Sequence, residues 1–108
     1  MGMAKAMGAA LFGEKIYAEQ AEKWGLIWEV AEDENFEKIW RARAEYLAKG
    51  PTLAYTNVKK ALKVSMDNTL SQQLVLEAQL QKDCGKTDDF SEGVKAFIEK
   101  RTPSFTGN

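Results

Sequence analysis

Histidine is missing from the sequence altogether, and Cys84 is its only cysteine. One thiol and no imidazole exclude a zinc cluster and any His-dependent nucleophilic triad within the chain. Acid–base work would fall to Glu, Asp, Lys or Tyr. A lone cysteine forms no internal disulfide, and a reducing cytoplasm is the simplest setting. Net charge is also scarce, at -1. A nucleic-acid binder needs a basic field to displace counterions, so none is expected as a partner. No apolar run approaches the roughly 20 residues of a membrane-spanning helix. The apolar opening Met1 to Leu11 has neither a basic leader nor a convincing cleavage site, and is not read as a signal peptide.

What is present suits one modest domain. The 108 residues are 44% hydrophobic and 29% charged, which argues against global disorder. Ala4, Met7, Gly8 and Leu11 recur at helical spacing, with Gly13 where a stop belongs. Ala18 to Trp24 predicts a short second helix closed by Gly25. Leu26, Ile27, Trp28 and Val30 form a short apolar stretch, read as extended. Asp33 is expected to cap a helix carrying Phe36, Ile39, Trp40, Ala44 and Leu47, ended by Gly50. Pro51 suits the first turn of the next helix, where Ala54, Val58, Ala61, Leu62 and Ser65 share a face. After the break at Asp67-Asn68-Thr69, a fifth helix begins at Leu70 and runs to Cys84-Gly85. Thr87 should cap the last helix, with Asp88 and Asp89 favourable to its dipole. Phe90, Val94, Phe97, Ile98 and Arg101 follow on one face, and Pro103 stops the run. With no period-2 strand of useful length, the chain is expected to be all-α, with five or six helices.

Candidate sites are few. Glu14, Glu19 and Glu22 cluster around the second helix, but a solvated face explains them better than paired acid–base carboxylates. Lys59, Lys60 and Lys63 form a basic patch in a neutral balance, again read as a solvated face. Trp24, Trp28 and Trp40 are expected as core or interface anchors. Cys84 is expected to be an unreactive thiol. Phe97 and Lys100 stand one turn apart, so ring and ammonium share a side of the helix. That pair suits a ligand with an apolar part and a phosphate; a core Phe beside a cation at a helix C-terminus is the competing reading.

The run GMAKAMGAALFGEKIYAEQAEKWGLIWEV resembles the stretch that follows the catalytic core in crotonase-like proteins. There a small-residue helix leads to Gly-Glu, an Ala-initiated helix and a Gly-Leu stop. EGVKAFIEKRTPSFTG resembles the last helix of the same family, so the likeness covers essentially the whole chain in order. DNTLSQQLVLEAQLQ followed by DDFSEGVKAFIEKR is similar to the phenylacetate branch, isomerases of a ring-epoxide phenylacetyl-CoA. One departure is Tyr17, which stands where relatives often carry a capping Ser or Thr.

The resemblance implies that residues 1–108 are the helical C-terminal domain, for oligomerisation and lid formation, of a crotonase-like α/β protein. The N-terminal core of β-β-α units, with its oxyanion hole and proton-moving carboxylates, is expected to be absent. Met1 falls where this segment begins in the family, so the chain is expected to be a fragment. It implies no catalytic residue, no metal and no cofactor here, a CoA thioester being the substrate of the parent. Phe97 would line the acyl or pantetheine pocket and Lys100 would meet CoA phosphates. Met7 and Leu11 would pack on the absent core, and self-association is expected. A free-standing helical interaction module and a small acyl-CoA-binding bundle are the alternatives.

Overall fold

A computed structural model describes all 108 residues and contains six helices and no strand. They are α1 (Met3–Phe12), α2 (Ala18–Lys23), α3 (Asp33–Ala48), α4 (Thr52–Val64), α5 (Leu70–Cys84) and α6 (Asp88–Glu99). Two units divide the chain inside α3, Met1–Trp40 and Arg41–Asn108. The all-helical expectation holds.

In Met1–Trp40, α1 stops where Gly13 turns left-handed at φ 62° and its N–H donates to the Ala9 carbonyl. Helix α2 follows Tyr17, whose side chain makes no capping bond. Its C-terminus is a Schellman turn: the Gly25 N–H donates to Glu22 O and the Leu26 N–H to Ala21 O, both at 2.8 Å. That turn needs φ 69° at residue 25, a conformation glycine adopts without a Cβ penalty. The helix therefore ends one residue earlier than expected, with Trp24 outside it. The Lys5 ammonium stands 4.9 Å above the Trp24 ring and ties α1 to this turn. Leu26 to Trp28 form bends rather than an extended segment, and Trp28 is 87% exposed.

Residues 41–108 are organised by a helical hairpin. Asn57 is buried in α4, and its Nδ2 donates to the Leu80 carbonyl at 3.2 Å and to Cys84 Sγ at 3.3 Å on α5. Gln73 Nε2 reaches back from α5 to the Ala61 carbonyl at 3.3 Å. Between the two helices, Thr69 and Gln72 close a reciprocal capping box that satisfies two otherwise unpaired N–H groups. Thr87 caps α6, as expected, accepting the Phe90 N–H at 3.0 Å.

Three local expectations need correction. Asp33 lies inside the first turn of α3, where its charge still suits the dipole. Pro51 is the cap of α4, its backbone extended at ψ 92°, and not part of the first turn. Arg101 lies beyond α6, because Lys100 adopts φ 54° and closes a Schellman turn through Arg101 N–H to Ala96 O. Pro103 is not what stops the helix. Left-handed backbone costs a residue with a Cβ about 1–2 kcal/mol, so Lys100 holds a position that glycine would occupy more easily.

Packing is thin in both units. Ala21 is the buried apolar residue of the first and Ala96 that of the second. The chain exposes 9196 Å², whereas size scaling of folded monomers gives about 6,000 Å² for its mass. Met7 and Leu11 on α1, and Phe90, Val94, Phe97 and Ile98 on α6, are all exposed. Large apolar side chains exposed in this number are typical of interfaces and binding clefts.

Candidate functional site

Within residues 41–108 the start of α4 and the face of α6 border a cleft of about 390 Å³. Pro51, Leu53 and Ala54 form one side, Phe90, Val94 and Phe97 another, and Cys84 and Thr87 lie at the junction of α5 and α6. Phe105 completes the lining from the segment after α6. Helical spacing alone aligns Phe90, Val94 and Phe97, because residues four and three apart stand above one another.

The polar groups at the cleft are already engaged. Thr87 Oγ1 donates to the Cys84 carbonyl at 2.7 Å while accepting the Phe90 N–H. The Asp89 carboxylate, 5% exposed, accepts the N–H of Thr106 at 2.7 Å and of Gly107 at 2.9 Å. What the cleft can do is hold an apolar group away from water.

Phe97 borders this cleft with 85% of its surface exposed. Lys100 is exposed at the end of α6 and is not part of the lining. Elsewhere, Glu14 borders a separate depression beside Lys15 and Tyr17, to which Glu19 and Glu22 do not contribute. Lys59, Lys60 and Lys63 are exposed on α4. Trp24 is half-buried, whereas Trp28 and Trp40 are exposed. No group of three or more His, Cys, Asp or Glu side chains could hold a metal ion. No helix is long and apolar enough to cross a membrane.

Sequence reading missed the residues that fasten the last segment. Glu92 accepts from Nη1 and Nη2 of Arg101, at 2.6 and 2.8 Å, and from the Ser104 N–H at 2.8 Å. No local signal marks them, because their partners lie 9 to 18 positions away. The Arg101 hydrogen bonds, then the Ser104 N–H, hold the Glu92 carboxyl down to about 2. Glu92 and Glu99 together raise the Arg101 guanidinium above its ordinary value. A depressed folded value means Glu92 stabilises the fold above the ordinary carboxylate pKa of about 4.3 and loses that contribution as pH falls through about 2. Carboxyl-carbon NMR should therefore find the Glu92 midpoint near pH 2, moving up in Arg101→Gln. A wild-type midpoint at the ordinary value would contradict the geometry.

The fold and cleft thus define a class: a helical segment with an apolar-lined cleft and many exposed apolar side chains. The sequence profile of the enoyl-CoA hydratase/isomerase family matches residues 1–108. A Rhodobacter capsulatus protein named probable enoyl-CoA hydratase is 57% identical over 107 residues, covering 99% of this chain and 42% of that protein. The 1,2-epoxyphenylacetyl-CoA isomerase of Escherichia coli K12 is 44% identical over 106 residues, covering 98% of this chain and 40% of that one. A solved enoyl-CoA hydratase of Geobacillus kaustophilus superposes with a TM-score of 0.90 at 30% identity, over 99% of this chain and 40% of its own. The chain belongs to the enoyl-CoA hydratase/isomerase family, within the crotonase superfamily. It spans about two fifths of the length of these relatives.

Proposed function

We propose that residues 1–108 are the helical C-terminal domain of an enzyme acting on acyl-CoA thioesters, contributing ligand contacts and subunit packing rather than proton transfer. The observation that carries this reading is the cleft itself, apolar in lining and with its polar groups already engaged. Phe97 is the residue through which the cleft meets the acyl or pantetheine chain. Lys100, outside the lining, meets the CoA phosphates. The exposed face of α1 packs on the rest of the enzyme, and the domain contacts further copies, in a cytoplasmic setting. The catalytic groups lie in the part of the protein outside residues 1–108.

Within the family, the parent is proposed to belong to the ring-epoxide isomerase branch. The runs DNTLSQQLVLEAQLQ and DDFSEGVKAFIEKR support this, together with 44% identity to the 1,2-epoxyphenylacetyl-CoA isomerase. Full-length protein assayed side by side should isomerise that epoxide thioester faster than it hydrates straight-chain enoyl-CoA esters. Hydration with no isomerisation would move the parent to the hydratase branch. Neither activity would overturn the acyl-CoA reading.

A further inference from the structure

The segment after α6 does not trail into solvent. It turns back and runs antiparallel along the helix that precedes it. Ser104 is held at Glu92, Thr106 and Gly107 at Asp89, and the Asn108 carbonyl accepts the Asp89 N–H at 2.9 Å. Arg101 closes the near end of this strap with a two-point ion pair to Glu92. At the far end Gly107 sits at φ 86°, where a Cβ would come within 3.2 Å of Thr52 Oγ1 on α4. Phe105 lies between two fastened residues, and its ring sits over Gly93, where an added Cβ would meet it at 3.7 Å, an ordinary van der Waals contact.

We propose that Asp89 and Glu92 are positioning residues: they strap residues 101–108 onto α6 and so fix Phe105 as a wall against which the acyl group packs. The proposal deepens the acyl-CoA reading above and rests on it. Fastening matters because a seven- or eight-residue end without helix or strand would otherwise sample many conformations, and a wall must be in place before the ligand arrives. The occupant is the acyl group rather than pantetheine. Pantetheine carries two amides that need partners, and the polar groups lining the cleft are already paired. A volume of about 390 Å³ lies within the usual range of small-molecule sites, roughly 300–1,000 Å³.

The test uses full-length protein and two readouts. Hydrogen exchange follows the Ser104, Thr106 and Gly107 amides, and kcat and KM are measured over enoyl-CoA esters from short to medium chain length. Asp89→Asn and Glu92→Gln should accelerate exchange in the strap while α6 stays protected. Both should flatten acyl-length preference in the same direction as Phe105→Ala, mainly through KM and by roughly tenfold for the best-fitting chain. Asp89→Asn combined with Phe105→Ala should be no worse than Phe105→Ala alone, because the carboxylate acts through the ring. If Asp89→Asn does not fold, Glu92→Gln carries the same comparison from a half-buried position. Faster exchange with unaltered acyl preference, or strictly additive losses, overturns the proposal and leaves the acyl-CoA reading standing. A wild-type protein that neither binds nor turns over CoA thioesters overturns both.

Discussion

Given an enoyl-CoA ester, the 108-residue chain alone is expected to produce no hydration and no double-bond migration above background. Charge develops on the thioester oxygen in this chemistry, and preorganised donors must meet it there. Loss of even one such donor typically costs roughly 100- to 1,000-fold. The groups at the cleft of this chain are committed elsewhere, Thr87 to Cys84 and Phe90, Asp89 to Thr106 and Gly107. A coupled assay on material free of host hydratase measures this. Turnover at ordinary enzyme rates would show that residues 1–108 contain their own reaction centre.

The second large effect concerns Lys100, and its backbone makes the experiment sharper than alanine substitution alone. Lys100→Ala in the full-length protein removes the ammonium but keeps a Cβ in the left-handed turn. Lys100→Gly removes both. If the ammonium meets a CoA phosphate, that contact is shared by ground and transition states, so both variants should raise KM and spare kcat. The expected loss is roughly ten- to a hundredfold, shrinking as salt rises. Stability should separate the two. Relief of the turn is worth about 1–2 kcal/mol, offset by the roughly 0.5–1 kcal/mol of extra chain entropy that glycine loses on folding, so Lys100→Gly should melt about 2–4 °C above Lys100→Ala. Phe97→Ala should change both kcat and KM, because a pocket wall also positions the thioester. A Lys100 variant that loses kcat at unchanged KM would place this end of α6 away from CoA phosphates.

Much of the helical pattern was legible in local chemistry. Gly13, Gly25 and Thr87 mark ends that the chain respects, since each signal acts within one turn. Tyr17 was legible as a poor cap for the same reason. What escaped depends on distant partners or on a missing glycine. Asp89 looked like a dipole residue, but its carboxylate serves N–H groups 17 and 18 positions away. Arg101 fitted the α6 face by spacing, yet it lies nine positions beyond the Glu92 that claims it. The stop at Lys100 was hidden because lysine is an unusual occupant of a left-handed position. The apolar stretch from Leu26 read as extended, but a bending backbone leaves Leu26, Ile27 and Trp28 exposed. For the site, spacing put Phe97 beside an apolar face; Phe105 was invisible because the fold-back that delivers it is made by Asp89 and Glu92.

We propose that this chain supplies part of a composite thioester site. Equilibrium binding of an unreactive CoA thioester to the isolated chain and to the full-length protein, under one set of conditions, tests it directly. Saturable binding is expected of the full-length protein, and binding at least roughly a hundredfold weaker of residues 1–108, because most of the contacts that offset lost ligand freedom lie outside them. Equal affinity in the two would contradict it, and would make the chain a self-sufficient acyl-CoA-binding bundle.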